Sequence, residues 1–585
     1  MAGRSGPVRP RPLDRPHRRR ARAGVDRGTA AHATEALRCD LPAACPDAQG
    51  AGVPGVRRNP GNPVREEEPM MAARLVTRSE PTQGIAAGSA PRWRAWELGG
   101  LAAVCLLALS LRLELLSVRT VWHDEAYSLE VAQRPVAHIW ANLSRDDPHP
   151  PGYYLMLRLW TQAFGKDLVT ARTLSLLWGL SAVLLTWGFG RRLGGPAVGV
   201  AAAALVAFNP FQIYNSNEIR MYAPLTAVSV LSTWALVRAE ERDRAVDWIL
   251  YGATIAGMLY LSYYAGPLLV AHGVWMALRR RWRGGVLSAA TALLLYLPWL
   301  PALRQSLLAN PIPYRDPMRP TYVLELFAVH AFGGHLLGMP GYLRWPGLEW
   351  TYQPLLVFPF AVLAAAGVED LWRRDRAGCG LLCLSWALPV ATFVLASLVL
   401  RREAAYFYHL MYLQPFVAVA LGAGIVGLRE AVQRASPFLV SAVAAAGVLL
   451  FLWPAIDNLQ GNPAYQGYRY DLAASYLRRQ YRPGDVVVYY MGGAQRAIHQ
   501  YFDPPGPEVA IGADRYRWSR KAVQPRFREV ADLLKPGHRR VWLVLVPPVP
   551  DGSVEDLVQA IETKGYRRGP IHDFNGIRVG LLVRR

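Results

Sequence analysis

The feature that most constrains the fold of this chain is a series of apolar runs separated by short polar loops. The runs lie at residues 97–116, 168–190, 196–214, 222–237, 247–263, 265–278, 285–301, 352–371, 378–400, 406–428 and 436–456. Most of them approach the roughly 17–25 residues that an α-helix needs to cross the hydrocarbon core of a bilayer. The sequence therefore predicts an all-α polytopic membrane protein with about eleven transmembrane helices.

The distribution of basic residues predicts how these helices are oriented. The chain has a net charge of +22, which could indicate a nucleic-acid-binding protein. Here, however, the arginines lie in the N-terminal tail and in alternate loops, and a cytoplasmic N-terminus makes every short inside loop basic, as the positive-inside rule requires. We therefore predict a multi-pass protein embedded in the lipid bilayer, with a cytoplasmic N-terminus and no nucleic-acid partner.

The chain divides into three predicted regions. Residues 1–92 are rich in Arg and Pro, have no apolar period and are predicted to be a disordered tail; a translation start near Met70 or Met71 is the alternative interpretation. Residues 93–460 form the transmembrane domain. Residues 461–585 contain the strand-like runs VVVYY, VWLVLV and IRVGLLV between helical segments, which predicts a soluble α/β domain on the extracytoplasmic side.

Two adjacent acids follow the first apolar run, in the stretch TVWHDEAYS. Asp124 and Glu125 lie where hydrocarbon gives way to water, and acids at a membrane boundary are costly unless they are hydrated or functional. One interpretation is a solvated helix end. The other is a general base, a metal ligand or both, because a carboxylate near hydrocarbon and a second charge has a raised pKa that suits proton abstraction.

A second polar cluster lies in the stretch RDDPHPPGYY. Asp147 and His149 precede the rigid pair Pro150–Pro151, since proline fixes the backbone. The cluster is either a plain turn between two helices or a site that orients a substrate or a divalent metal ion (Mg²⁺ or Mn²⁺) opposite Asp124.

Arginines on the same predicted face form two further candidates. In NSNEIRMY, Glu218 and Arg220 either pair with each other, or Arg220 binds an anionic head group while Glu218 completes a polar pocket, because the planar guanidinium suits phosphate. Arg401 and Arg402 are predicted to be extracytoplasmic, against the charge bias. They either act on a lipid-linked phosphate or extend to the membrane interface.

These motifs, in this order, resemble those of the GT-C fold polytopic glycosyltransferases, most closely glycosyltransferase family 39, the protein mannosyltransferase-like group. The resemblance spans roughly residues 95–430. It is carried by the acidic pair, the HPP-YY element, the NEIRMY turn and YLPWLP, that is, Asp124, Glu125, His149, Pro150, Pro151, Tyr153, Tyr154, residues 217–222 and residues 296–301.

The resemblance implies transfer of a sugar, with inversion, from a polyprenyl-phosphate donor to an acceptor outside the cytoplasm. Asp124 would be the general base, with Glu125 beside it in the catalytic pair. Glu125, Asp147 and His149 would position the acceptor or hold a divalent metal ion. The other implied substrate-binding residues are Tyr153, Glu218, Arg220, Tyr222, Arg401 and Arg402, and the arginines among them would stabilise the leaving phosphate.

The sequence leaves the sugar open, with mannose and arabinose as the two expectations. It also leaves open whether the acceptor is a protein, a lipid or an envelope glycan. Two other functional classes remain: a transporter or flippase of envelope precursors, and a non-catalytic envelope scaffold. A transporter is expected to bury charges in mid-span and to contain an internal repeat, whereas the polar clusters here lie at one predicted face.

Overall fold

The computed structural model describes residues 95–147, 149–309, 317–333, 353–436, 468–490, 492–511, 520–546 and 552–585. The predicted tail at 1–92 and nearly all of the predicted span at 436–456 lie outside these residues.

The helices described up to residue 436 are α1 (Ala95–Val118), α2 (His123–Gln133), α3 (Val136–Asp146), α4 (Gly152–Phe164), α5 (Leu168–Gly194), α6 (Pro196–Phe208), α7 (Pro210–Asn215), α8 (Tyr222–Arg242), α9 (Ala245–Leu261), α10 (Gly266–Leu278), α11 (Trp282–Tyr296), α12 (Leu300–Ala309), α13 (Tyr322–Phe332), α14 (Gln353–Arg374), α15 (Arg376–Leu400) and α16 (Gln414–Ala435).

The predicted helical membrane architecture is confirmed for the described residues. Every predicted span from 97–116 to 406–428 overlaps one of these helices. The helical segments that are long and apolar enough to cross a membrane are Ala95–Leu116, Leu168–Gly194, Trp282–Ser306, Arg376–Leu400 and Phe407–Arg434. Because only 5 segments in the described part of the chain meet that criterion, the count of about eleven spans stays a prediction.

The predicted span at 196–214 is broken into α6 and α7 at Asn209 and Pro210. Proline has no backbone N–H to continue a helix. The Asn209 side chain caps α7 by accepting from the backbone N–H groups of Phe211 at 3.0 Å and Gln212 at 3.1 Å. Its amide nitrogen also donates to the carbonyl of Val329 in α13 at 2.9 Å. The break therefore has a fixed geometry, and it ends in the turn at 216–221 that carries Arg220.

Helix α13 packs against neighbouring helices through a largely buried face. The sequence places the apolar segment 321–337 at the interface or in a loop because it carries acidic and imidazole groups. In the structure, Glu325 and His330 are fully buried, and Trp386 donates to Nδ1 of His330 at 3.1 Å. The Nε2 atom of His330 lies 3.1 Å from the carbonyl oxygen of Leu410. These partners compensate for burial, and the location of this segment relative to the membrane stays a prediction.

Ion pairs link loops that the sequence assigns to one side of the membrane. Arg191 at the end of α5 pairs with Glu97 at the start of α1, with Nε and Oε1 2.6 Å apart. Arg192 pairs with Glu241 of α8 and lies 3.5 Å from Asp375, between α14 and α15. These segments therefore share one end of the helix bundle, as the predicted alternation requires. Which end faces the cytoplasm stays a prediction.

The C-terminal region forms the predicted α/β domain. Its elements are α17 (Tyr470–Gln480), β1 (Val486–Tyr489), α18 (Gly492–His499), β2 (Glu508–Ala510), α19 (Arg520–Leu533), β3 (Arg540–Leu545), α20 (Ser553–Glu562), β4 (Tyr566–Phe574) and β5 (Ile577–Arg584). The sheet order is β2-β1-β3-β5-β4. Strand β1 is parallel to β2 and β3, whereas β5 is antiparallel to β3 and β4. Alternate residues of β1 and β3 pack against α17 and α18 on one face and against α19 and α20 on the other.

Two strands of this sheet are not predicted by the sequence. Strand β2 has only 3 residues, too few for an alternating pattern. Strand β4 reads YRRGPIHDF and contains Gly569 and Pro570, which break a strand pattern. The pairing of β4 with β5 shifts register between Arg568 and Ile571, and β4 lies at the sheet edge. Proline and charged residues are tolerated there because no further strand pairs with it.

Candidate active site

The short helix α2 carries the acidic pair and sends its two carboxylates in different directions. Glu125 accepts from the backbone N–H of Trp122 at 2.9 Å, which fixes the start of the helix. Successive residues of an α-helix point about 100° apart. The side chain of Glu125 is consequently fully buried, whereas that of Asp124 is 45% exposed.

Glu125 is held by a saturated set of hydrogen bonds. Arg172 of α5 donates to both of its carboxylate oxygens, at 3.0 and 2.9 Å. The backbone N–H of Ile219 donates at 3.1 Å, in addition to that of Trp122. A carboxylate offers about four lone-pair sites, and all are used here. Glu125 therefore has no acceptor site left for a metal ion or a substrate, contrary to the predicted catalytic or metal-binding role.

Asp124 faces Arg220 and two histidines. Its Oδ2 atom lies 3.9 Å from an Nη atom of Arg220, and its Oδ1 atom lies 3.5 Å from Nε2 of His123. The same Nη atom of Arg220 lies 3.5 Å from Nε2 of His149. Residues from the first loop, from the Pro150–Pro151 segment and from the turn at 216–221 therefore meet in one cluster, as the sequence predicts.

His149 is oriented by Asp147. Oδ1 of Asp147 accepts from the backbone N–H of His149 at 2.7 Å and lies 2.6 Å from its Nδ1. Oδ2 accepts from the Tyr154 hydroxyl at 2.9 Å. Burial alone raises the pKa of Asp147, but the interactions with His149 and the charge of Arg220 outweigh it and lower the pKa to about 2. Asp147 is therefore a permanently charged support that leaves only Nε2 of His149 facing the cluster.

The pKa of Asp124 differs from the sequence-based expectation. Partial burial raises this pKa, but the charge of Arg220, followed by the two histidines, outweighs burial and holds the pKa below its ordinary value. The expected raised pKa is therefore wrong. The reason is that the nearest charge is a cation, whereas the sequence argument considered hydrocarbon and a neighbouring acid. Asp124 is ionised at neutral pH.

Two other buried arginines near this region, Arg172 and Arg119, are held closely by carboxylates. Arg172 is held by Glu125, and Arg119 lies 3.1 Å from Oε1 of Glu218 with its guanidinium 4.0 Å above the Tyr214 ring. Glu218 therefore pairs with Arg119 and not with Arg220, and its carboxylate is turned away from the predicted pocket. Burial raises the pKa of Glu218 although Arg119 opposes the effect.

The hydrogen bonds of Arg220 are long by comparison. Its Nη1 atom lies 3.4 Å from the Ser128 hydroxyl and 3.3 Å from the Tyr154 hydroxyl. Its closest carboxylate oxygen is that of Asp124, at 3.9 Å. Arg220 is thus a buried cation whose guanidinium is loosely held beside the partly exposed Asp124 carboxylate.

The predicted tyrosines divide between site and core. The Tyr153 hydroxyl lies 3.0 Å from the Ser175 hydroxyl, so its polar end contacts α5 and not the cluster. The site tyrosine is instead Tyr154, whose hydroxyl contacts Asp147 and Arg220. Tyr222 is buried after the Arg220 turn, where its hydroxyl interacts with the Arg220 guanidinium, and its ring packs 5.4 Å from that of Tyr408.

Arg401 and Arg402 are not brought into the cluster. Arg401 ends α15 in the left-handed conformation with φ of 53° and is exposed. The backbone N–H of Arg402 donates to the carbonyl of Ser397 at 3.1 Å. Among the described residues, no contact joins either side chain to Asp124, His149 or Arg220, so their predicted phosphate-binding role has no geometric support.

The predicted metal ligands do not form a metal-binding set. Glu125 is saturated, and Asp147 already accepts three hydrogen bonds. The one nitrogen of His149 that faces the cluster lies 3.5 Å from the cationic Arg220, which opposes a second cation. In the described part of the chain, three ligand atoms within 4.8 Å of one another occur only in the C-terminal domain, at His499, Asp503 and Glu508.

Several residues of the site were missed by sequence reasoning. Arg172 lies inside a predicted span, and an ionisable residue there is a functional or structural candidate by default; that signal was present. Arg119 and Ser128 carry no comparable signal, because their partners Glu218 and Arg220 come from a distant segment. Tyr154 belongs to the HPP-YY motif, but its bond to Asp147 was not predicted.

Replacing Arg220 with glutamine is expected to raise the pKa of Asp124. Burial then acts without its main opposing charge, so the acid limb of the pH–rate profile moves to higher pH and residual activity falls by on the order of 10²-fold. The measurement is the pH–rate profile of both proteins. Arg373→Gln, at a 74% exposed side chain that pairs with Glu369, is the control. An unchanged acid limb in Arg220→Gln contradicts the assigned electrostatics.

Gly152 begins α4 directly against the backbone of α9. A β-carbon at this position would lie 2.5 Å from the carbonyl oxygen of Tyr260. We expect Gly152→Ala to displace the His149 turn, to destabilise the protein by about 1–3 kcal/mol and to lower activity. Thermal unfolding and activity assays measure the two effects. Gly273→Ala is the control, because no atom lies within 4 Å of a β-carbon there; equal effects of the two variants would exclude this packing argument.

Comparisons with known proteins agree with this architecture. Residues 148–312 match the family described as dolichyl-phosphate-mannose-protein mannosyltransferase. A comparison with curated proteins found no match.

Solved structures share the fold at low sequence identity. ArnT from Cupriavidus metallidurans, in its apo state, aligns with a TM-score of 0.54 at 13% identity over 83% of this chain and 98% of that chain. ArnT bound to undecaprenyl phosphate aligns with a TM-score of 0.53 at 14% identity over 83% of this chain and 97% of that chain. The archaeal oligosaccharyltransferase AglB from Archaeoglobus fulgidus, in complex with an inhibitory peptide and a dolichol-phosphate, aligns with a TM-score of 0.51 at 12% identity over 83% of this chain and 74% of that chain.

The fold and its spanning helices define a multi-pass membrane protein of GT-C type with a C-terminal α/β domain. The family match over residues 148–312 contains the HPP-YY and NEIRMY motifs. Together they confirm the resemblance to the protein mannosyltransferase-like group.

Proposed function

We propose that this protein is a membrane glycosyltransferase that moves a sugar from a polyprenyl-phosphate-linked donor to a hydroxyl group of an extracytoplasmic acceptor. The observation that carries the proposal is the pairing of a 45% exposed Asp124 carboxylate with the loosely held Arg220 guanidinium, 3.9 Å apart. A base and a phosphate-binding cation are the two groups that this reaction needs side by side.

The proposed chemistry is a single displacement at the anomeric carbon. The acceptor oxygen forms a bond to this carbon while the bond to the phosphate oxygen breaks, so the configuration inverts. Asp124 takes the proton of the acceptor hydroxyl, and the electron pair of the broken bond leaves with the polyprenyl phosphate. Arg220 neutralises the developing charge on that phosphate through its planar donors.

The low pKa of Asp124 is compatible with this role. The carboxylate is ionised at neutral pH, so no proton has to be removed before the reaction. The acceptor hydroxyl becomes strongly acidic only as its oxygen bonds to the anomeric carbon, and a nearby carboxylate then accepts the proton in the transition state.

The position of the cluster supports a lipid-linked donor. Asp124 lies just after α1, and His149 and Arg220 lie just before α4 and α8. We place these helix ends at the membrane surface, as the alternation of basic loops predicts, so that a polyprenyl chain stays in the bilayer while its phosphate reaches Arg220. Solved structures of similar fold hold undecaprenyl phosphate and a dolichol-phosphate, which supports this donor class. We further infer that the site faces the outside of a bacterial inner membrane, with the N-terminus in the cytoplasm; mannose and arabinose are the candidate sugars.

The test is a transfer assay with purified protein in lipid nanodiscs. Labelled mannosyl and arabinosyl polyprenyl phosphates are supplied with membrane-extracted acceptors, and the products are separated into free polyprenyl phosphate and labelled acceptor. We expect equal amounts of both, whereas the corresponding polyprenyl diphosphate donor reacts poorly. Intact donor in every combination would contradict the proposal. Repeating the assay with a chelator and with added Mg²⁺ or Mn²⁺ tests the predicted metal requirement.

A further inference from the structure

Helix α2, which carries Asp124, lies between the membrane domain and the C-terminal domain. On the membrane side, Glu125 anchors its first turn to Arg172. On the other side, Val121 and Ala126 belong to the buried apolar cluster beneath α17 and α18. The backbone N–H of Val121 donates to the Tyr501 hydroxyl at 2.9 Å.

A stacked aromatic pair extends this contact. The rings of Trp122 and Tyr468 lie 5.0 Å apart and are inclined by only 14°. Gly493 of α18 lies directly against His123: a β-carbon on Gly493 would be 3.1 Å from the β-carbon of His123. The C-terminal domain thus contacts Trp122, just before α2, and His123, its first residue.

The second half of α2 is held by Arg496 of α18. Its Nε atom lies 2.5 Å from Oε2 of Glu130, whose Oε1 atom also accepts from Arg134 at 2.6 Å. The Arg496 guanidinium lies 5.2 Å from the centre of the Tyr127 ring. The Tyr127 ring in turn packs edge-on against that of Tyr154, 6.3 Å away. A continuous series of contacts therefore runs from Arg496 to the tyrosine that bonds Asp147.

We propose that the C-terminal domain is a working part of the transferase site, in which Arg496 is a positioning residue that holds α2, and with it Asp124, against Arg220. This inference rests on the proposed glycosyl transfer. Arg496 does not touch the reacting atoms.

The expected energies distinguish a role of Arg496 in positioning α2 from a role in folding stability. Arg496 and Glu130 are 39% and 40% exposed, and such ion pairs contribute little to folding stability. A displacement of a catalytic group by about 1 Å, however, can lower the rate by about 10²-fold. Loss of Arg496 is therefore expected to affect catalysis far more than stability, an outcome that a purely structural ion pair does not produce.

The experiment compares Arg496→Met, which keeps most of the apolar stem, with Arg496→Lys, which keeps the charge. We expect Arg496→Met to lower kcat about 10- to 100-fold with KM for the donor within about two-fold and Tm within about 2 °C of wild type. Arg496→Lys is expected to recover most of the rate. The matched control is Arg568→Met, at a 47% exposed arginine that pairs with Glu562 inside the C-terminal domain, and it is expected to be silent.

Hydrogen exchange of the full-length protein supplies a readout that does not depend on sugar transfer. Peptides covering residues 120–134 are expected to exchange faster in Arg496→Met than in wild type, with the rest of the C-terminal domain unchanged. An unaltered kcat, a change in KM alone, or an equal loss in Arg568→Met would overturn the inference while leaving the proposed function intact. Absence of transfer by the wild-type protein would instead refute the proposed function.

Discussion

Replacing Asp124 with asparagine is expected to lower kcat for sugar transfer by on the order of 10²–10⁴-fold. Asparagine keeps the size of the side chain but cannot accept the hydroxyl proton. Because Asp124 is partly exposed and lies 3.5 Å from His123 and 3.9 Å from Arg220, the change removes no short ion pair. We therefore expect the Tm and the affinity for polyprenyl phosphate to stay near wild type, so that the loss appears in kcat.

The matched control is Asp532→Asn, which makes the same chemical change at a side chain that is 68% exposed and pairs with Lys564. Both variants are assayed in nanodiscs under saturating donor. If Asp124→Asn transfers sugar at a rate similar to Asp532→Asn, another group must accept the proton, and the assignment of Asp124 fails.

The second large effect is expected for Glu125→Gln, which should mainly lower the folding stability of the protein. Glu125→Gln leaves the Arg172 guanidinium buried without its negative partner. Removing one member of a buried ion pair costs about 3–5 kcal/mol, because the remaining charge is uncompensated. Arg172 also donates to the carbonyls of Leu116, Arg119 and Thr120 at 3.1, 2.7 and 2.9 Å. The change therefore loosens the link between α1, α2 and α5, and activity is expected to fall together with Tm.

A double-mutant cycle separates this ion pair from general damage to the core. Thermal or denaturant unfolding is measured for Glu125→Gln, Arg172→Met and the double variant. Because neither single variant satisfies the remaining partner, the double variant is expected to be less destabilised than the sum of the two, by at least about 1 kcal/mol. Additive effects would show that Glu125 and Arg172 do not depend on each other.

The sequence predicts the location of the site because that location depends on local patterns. Apolar runs mark the helices, and the alternation of basic loops assigns the acidic pair, the His149 segment and the Arg220 turn to one face. The three segments do converge on one guanidinium. The C-terminal α/β domain is predicted for the same reason, since its β-branched runs and helical periods are local features.

The pairing of charged groups was not predictable in this way. Glu218 and Arg220 are two residues apart, but Glu218 bonds Arg119, from the end of α1, and Glu125 bonds Arg172, from α5. These choices depend on how four chain segments pack. The lowered pKa of Asp124 follows from this packing. Glu125 and Glu218 bind the other two arginines, and Arg220 lies beside Asp124.

The contact between α2 and the C-terminal domain is a further consequence of packing. Arg496 lies 366 residues after Glu130, and no motif marks either residue. Helix α2 is short, and its small residue Ala126 is as consistent with an exposed loop helix as with a buried interface. Only the folded chain reveals that the helix carrying Asp124 is enclosed from both sides.

The most direct test of this account is the position of the phosphate in a structure of the protein determined with a polyprenyl phosphate bound. We predict that phosphate oxygens lie within hydrogen-bonding distance of the Arg220 guanidinium, with the Asp124 carboxylate facing the space that the anomeric carbon occupies in the sugar-bearing donor. A phosphate bound away from Arg220, or at the end of the bundle where Arg191 pairs with Glu97, would contradict the proposed site.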